Sequence, residues 1–357
     1  MNNNLQNMFD DKKTVLNRIN YIGTLRGLAC LAVYLNHVIC MFAPGLMWYS
    51  KAYNELERVW LGTPLNVITN GNSAVQFFFV ISGYLISNKI FKNSTYEITV
   101  IGILKKIKKL LLVIIPPIIL AFFLMKCNRM YHLVAAKEDP ILGFVLDYNN
   151  FQPTILSLLI DIKNTFFIGS IYVGPLWFIS IEFIGGIMVE FIAVAMNQKR
   201  ELVSGVMIYI FVWILLLQRN QNLCSFVVGS FAAYILNYKQ YNYCRLKNRE
   251  LKITLFIIGI YFFTVQNDTI GIYKVMASLK AYLPSIRSIG MGMLLVGTEC
   301  CSELKDKISN MKVLRFFGNY SAYIYGFHWP ILLSLGCWIY LKIRVLNIDR
   351  NLMISIV

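Results

Sequence analysis

The sequence predicts an all-α protein, a polytopic transmembrane helix bundle of about nine to ten spans, and three observations carry that expectation. Of 357 residues, 57% are hydrophobic and only 15% are charged, with a mean hydropathy of +0.58. A globule of this size cannot hide that much apolar side chain, so a bilayer is its natural solvent. Apolar runs near the ~20 residues that cross ~30 Å of hydrocarbon recur along the chain. The positive charges, finally, gather in alternate connecting segments. This composition excludes a soluble enzyme, a disordered regulator and a disulfide-stapled secreted domain.

The first apolar run, 19–42, follows 18 polar residues and itself contains Arg26 and His37. It is too long and wrongly flanked for a cleaved signal peptide. Further full-length runs lie at 74–91, 108–125, 175–196 and 318–341, with shorter ones near 202–218, 222–238, 251–266 and 284–301. Leu352 to Val357 read as the start of a tenth span. The long segment 126–174 contains PTILSLLIDIKNTFFIG, interrupted by Asp161 and Lys163. A full crossing there would put every later basic loop on the wrong side, so it is expected to be re-entrant or interfacial.

With the N-terminus inside, 20 of the 34 Lys and Arg fall in the tail, 89–109, 197–202, 239–252 and 302–315; 12 fall outside, and Arg26 and Arg287 lie within spans. Such a bias is what membrane topology imposes. The formal charge of +16 therefore gives no reason to expect a nucleic-acid partner. No repeat or long linker divides the chain. Residues 1–357 are expected to form a single membrane domain, with a cytoplasmic tail at 1–18 and an external loop at 126–174. The eight cysteines include no CxxC pair and read as small apolar fillers, so no metal site is expected.

Ionisable groups at membrane depth are costly and mark functional candidates. Arg26 and His37 are eleven residues apart, which is about three helical turns, so they share a face with His37 roughly 16 Å further along. That spacing suits an anion held at Arg26 whose reactive end reaches His37; a snorkelling arginine and a histidine bonded to a neighbouring helix fit the spacing equally well. In GNSAVQFFFVISGYLIS, Ser82 and Gly83 sit mid-span, where close helix packing is the ordinary reading and a site-facing hydroxyl the functional one. Lys105, Lys106, Lys108 and Lys109 lie just inside the third span, as topogenic or lipid-binding clusters do. Glu182 lies inside GPLWFISIEFIGG, with Trp177 and Ser180 sharing a face nearby. A carboxylate there needs a cation, and Arg26, Arg287 or a protonated histidine are the choices. His328 stands just ahead of Trp329-Pro330 and can satisfy a carbonyl freed by the proline or serve a site.

These stretches, in this order and over nearly the whole chain, resemble the acyltransferase family 3 of integral-membrane O-acyltransferases of bacterial surface polysaccharides. Arg26 and His37 match that family's Arg-x10-His pattern. Phe78 to Tyr84 match its FFV-[IL]-SG-[FY] run, Trp177, Ser180 and Glu182 its W-x-x-S-x-E, and Ser321 to Pro330 its late S-Y-x-x-Y-x-x-H-x-P, with Ala322 at the first Tyr. The chain departs from the family at Ala74-Val75-Gln76, where Gly-Val-Asp is common. It departs again at Lys106 and Lys109, which stand for an Arg-x-x-Arg pair and lack the bidentate fork of arginine.

The resemblance implies transfer of an acyl group, most often acetyl, from cytoplasmic acyl-CoA to a hydroxyl of a cell-surface or lipid-linked glycan. It implies a multi-pass protein of the cell (inner) membrane with membrane lipid, acyl-CoA and glycan as partners, no permanently bound cofactor, and homodimerisation left open. On this reading His37 is the general base, Glu182 orients or stabilises its imidazole, and Arg26 with the lysines at 105–109 holds the donor's phosphates. Ser82 would donate to the developing oxyanion, and Trp177, Ser180 and His328 would line the substrate site. An acyl-histidine or acyl-serine relay is a second route. A polytopic flippase or transporter of polysaccharide precursors is the rival from another class; inverted repeats would favour it, and none is found.

Overall fold

The computed structural model describes residues 2–52, 55–93, 95–139, 142, 145–197, 201–238 and 249–345, with side chains described from Asn20 onward. Among the described residues the secondary structure is helical throughout, with no strand. In chain order the helices are α1 (Asn2–Phe42), α2 (Glu55–Leu61), α3 (Gly71–Phe91), α4 (Val100–Lys126), α5 (His132–Glu138), α6 (Ile155–Asn164), α7 (Trp177–Asn197) and α8 (Leu202–Leu217). They continue with α9 (Gln221–Asn237), α10 (Arg249–Phe263), α11 (Leu283–Glu299), α12 (Ser302–Ser309), α13 (Lys312–Asn319), α14 (Ser321–Ile331) and α15 (Cys337–Val345).

Among the described residues, five helical stretches are long and apolar enough to cross a membrane: Asn20–Phe42, Gly71–Phe91, Val100–Lys126, Gly174–Asn197 and Ser321–Arg344. They coincide with the five full-length runs of the sequence. The four shorter runs are helices of 15 to 17 residues, α8 to α11. At ~1.5 Å per residue these reach about 22–26 Å, short of the ~30 Å core. The count of nine spans is thus not established. The expected tenth span, 352–357, lies outside the described residues, as do 198–200 and 239–248 of the expected cytoplasmic loops.

Local signals set the helix starts. The Asn70 side chain accepts from the Ser73 N–H and opens α3, and Thr99 does the same with Gly102 for α4. Because α4 begins at Val100, Lys105 to Lys109 all lie on the helix itself, in its second and third turns, including Lys105 and Lys106, which the 108–125 run left out. The segment PTILSLLIDIKNTFFIG forms the 10-residue α6, closed at its start by a Thr154–Ser157 capping box. It is far too short to span. Asp161, buried on its inner face, accepts from Ser170 Oγ at 2.6 Å and Ile171 N–H at 2.7 Å. Ile155, Leu156, Leu159 and Ile160 on its outer face are exposed.

Glycines let the central helices touch. On the α3–α9 crossing a Cβ at Gly83 would stand 2.2 Å from the Phe226 carbonyl oxygen, and one at Gly229 would stand 2.0 Å from that of Val80. Backbone therefore packs on backbone. Tertiary hydrogen bonds sort the helix ends. Asn237 Nδ2 donates to Asn88 Oδ1 at 3.0 Å and Asn197 Nδ2 to the Asn93 carbonyl at 3.3 Å. These bring the ends of α3, α7 and α9 together beside the start of α4. This end carries Lys89, Lys105, Lys106, Lys108 and Lys109 and is called the basic end below. At the opposite end Asn70 Nδ2 donates to the Thr264 carbonyl at 3.3 Å.

The last span is broken. Pro330 has no N–H to donate, and Leu332–Gly336 is π-helical before α15 resumes. The loosened turn exposes the Leu333 carbonyl, which accepts from the Tyr131 N–H at 3.1 Å. His328 and Trp329 sit immediately before this break.

Candidate active site

A cavity of about 330 Å³ opens between α1, α3, α4, α7 and α14 toward the basic end. Its walls are mostly apolar, with Phe78, Ile81, Leu110, Val113 and Phe183 among them, and its polar groups are few: Arg26, Ser82, Lys106, Lys109, Glu182, Ser321 and Tyr325. Five of the residues singled out from sequence, on four separate helices, therefore meet here. An apolar pocket with a handful of convergent polar groups is the usual form of a small-ligand site.

Within the cavity, Ser82 Oγ donates to Glu182 Oε1 at 2.8 Å. Arg26 Nη2 donates to Ser321 Oγ at 3.2 Å, and its charge attracts that of Glu182. Lys106 makes an ion pair with Glu190, a buried carboxylate that also accepts from the Tyr96 hydroxyl. Lys109, one turn on, is exposed and has no ion-pair partner among the described residues. The two lysines expected to act as a pair are unequal: one is tied and one is free for an anion.

His37 is elsewhere. It does not line the cavity, and its partner is not Glu182 but His328, whose Nε2 lies 2.9 Å from His37 Nδ1. The structure does not bring Glu182 to His37, and the Ser82 hydroxyl is engaged by Glu182. The proton positions of the histidine pair follow from a carbonyl. His328 Nδ1 lies 2.7 Å from the Tyr325 carbonyl oxygen, which only accepts, so that nitrogen carries hydrogen. In the neutral pair His328 Nε2 then accepts from His37 Nδ1–H, and His37 Nε2 is left with its lone pair. The His37 ring keeps part of its surface accessible while Trp329 packs edge-on against it at 5.3 Å.

Arg26–Ser321 and His37–His328 are two rungs between α1 and α14. The rungs are eleven residues apart on α1 and seven on α14, about 16 Å against 10 Å of rise. The long Arg26 side chain takes up the difference.

Trp177 and Ser180 do not reach the cavity. Ser180 Oγ donates to the Trp177 carbonyl at 2.8 Å, and Trp177 packs on Phe79 with an exposed edge. Ser180 is two residues from Glu182, roughly 200° around the helix, so one face cannot present both. Phe178, Ile179, Glu182 and Gly186 share the cavity face instead. Sequence reasoning passed over Phe178 and Glu190, and it noted Ser321 and Tyr325 only as positions of the late motif, with no role at the site. Helical spacing from Glu182 would have found Phe178, and the second carboxylate in the same apolar run would have found Glu190. Among the described residues no group of His, Cys, Asp and Glu forms a metal-binding cluster.

The model of the acyltransferase domain, family 3, matches residues 19–354. The chain belongs to this family. It is a membrane acyltransferase, and the match takes in both the cavity and the histidine pair. No curated protein and no solved structure matches the chain.

Proposed function

We propose that this acyltransferase moves an acetyl group from acetyl-CoA, bound from the cytoplasm in the cavity, to a hydroxyl of a cell-surface or lipid-linked polysaccharide presented at His37. The observation that carries the reading is the join between the two halves of the site. An apolar cavity with Arg26 and Lys109 at hand opens at the basic end, and the His37–His328 pair stands just beyond the cavity-lining Tyr325. The charges suit the phosphates of coenzyme A, and the apolar walls suit its uncharged arm.

The step follows from the tautomers. The acceptor hydroxyl attacks the thioester carbon as its proton passes to His37 Nε2, forming the C–O bond of the ester. The imidazolium so formed stays hydrogen-bonded through Nδ1–H to His328, whose own Nδ1–H remains on the Tyr325 carbonyl. Collapse of the tetrahedral intermediate breaks the C–S bond, and the proton on His37 returns to the departing thiolate. Both histidines end as they began. Glu182, neutralised in charge by Arg26 and held by Ser82, keeps Arg26 in place near the phosphate end rather than serving the base.

The test is mass analysis of the host's surface polysaccharide with and without this gene. Loss of one acetyl per modified residue in the deletion, restored by the wild-type gene, is the expected result. Disappearance or accumulation of whole repeat units, with acetylation unchanged, would overturn it in favour of a flippase or transporter.

A further inference from the structure

Tyr325 stands on α14 between the two rungs, one turn beyond Ser321 and three residues before His328. It is 5% exposed yet lines the cavity. Its ring packs edge-on against Phe178 at 4.3 Å and against His328 at 5.6 Å. Tyr325 and Phe178 thus form the wall between the cavity and the histidine pair. Among the described residues the Tyr325 hydroxyl, unlike that of Ser82, has no hydrogen-bond partner. The hydroxyl is not among the fully buried unpaired atoms, so it opens onto the cavity, and a free donor on a mostly apolar wall is placed to meet an acceptor brought by the ligand.

We propose that the Tyr325 hydroxyl donates a hydrogen bond to the carbonyl oxygen of the bound acyl thioester, setting the acyl carbon at the inner end of the cavity against His37 and His328. This rests on the acyl-CoA reading above and assigns the donor's acyl end to a residue. The phosphates belong at Arg26 and Lys109, so an acceptor oxygen one helical turn deeper than Ser321, about 6 Å along α14, must come from the arm or the acyl group. Two carbonyl sources fit that chemistry: the thioester itself, and an amide of the pantetheine arm. The thioester is favoured because Tyr325 is the cavity residue in ring contact with the histidine pair, where the reacting carbon has to be. A hydrogen bond there strengthens as charge develops on the oxygen, which is how such a donor assists transfer.

The experiment compares binding of acetyl-CoA and S-ethyl-CoA to the purified full chain without acceptor. The two probes share every atom of the arm and differ in the carbonyl oxygen. The wild type is expected to prefer acetyl-CoA by roughly threefold to tenfold, the worth of one neutral hydrogen bond. Tyr325→Phe keeps the ring on Phe178 and should erase that preference while leaving S-ethyl-CoA affinity intact, which also certifies that the variant is folded. A preference retained in Tyr325→Phe would overturn the proposal and assign the hydroxyl to no carbonyl of the acyl group. Equal loss of both probes would overturn it as well, by pointing to the arm amides or to cavity shape. Absence of binding by both probes to the wild type would instead sink the acyl-CoA reading on which it rests.

Discussion

Lys106 and Lys109 are one helical turn apart and carry the same charge, but their surroundings give them different work. Lys106 offsets a buried carboxylate, Glu190, so Lys106→Ala strands that charge in the bundle. The expected loss is roughly 1–3 kcal/mol, below that of a fully buried pair because solvent screens the lysine, with the Lys106 side chain 32% exposed. A lowered unfolding midpoint in detergent reads it. Lys109→Ala should leave that midpoint nearly unchanged and raise the KM for acyl-CoA roughly tenfold with kcat kept, because a phosphate-holding charge acts on ground and transition states alike. Steady-state kinetics at varied acyl-CoA separate the two variants. Much of this was legible beforehand: Arg26, Ser82, Lys106, Lys109 and Glu182 were chosen from sequence, and they line one cavity. Their pairings were not. Spacing along one helix tells which residues share a face, but not which foreign helix that face meets, so His37 was matched to Glu182 when its neighbour is His328.

At the scale of elements, the apolar periodicity found the five long helices, and it found the four shorter ones, α8 to α11, whose 15 to 17 residues stand at or just under the lower end of the spanning range. The third run was started at 108, which split the basic cluster, because charge was read as the end of a span; Thr99 caps α4 six residues before Lys105, and all four lysines ride on the helix. Close packing of α3 on α9 gives a direct check. Gly229→Ala sets a methyl group 2.0 Å from the Val80 carbonyl oxygen, which is backbone and cannot swing aside. Destabilisation of roughly 1–3 kcal/mol is expected. Gly186→Ala, whose Cβ meets the Ile86 methyl at 3.6 Å, should be nearly neutral in the same unfolding assay. Similar midpoints for the two would contradict the α3–α9 contact.

On the scale of the whole molecule, the alternation of basic loops and the sorting of helix ends point the same way. Among the described residues, the parts of the segments expected in the cytoplasm that tertiary contacts place lie at the basic end of the bundle. With the basic end in the cytoplasm, a single cysteine introduced at Glu303 of α12 in an otherwise cysteine-free chain should resist an impermeant reagent in intact cells, and one at Lys274 should react. Reversed labelling would invert the donor and acceptor sides.

The relay at the junction of the two sides is the centre of this account, and acetyl transfer by His37→Ala tests it most directly. Turnover is measured per unit of folded, membrane-inserted protein, with labelled acetyl-CoA and the host's polysaccharide as acceptor. Loss of the base of the histidine pair should lower kcat by roughly 10²–10⁴-fold with the KM for acetyl-CoA close to wild type, since the donor cavity does not include His37. Turnover near the wild-type value in well-folded His37→Ala would contradict it.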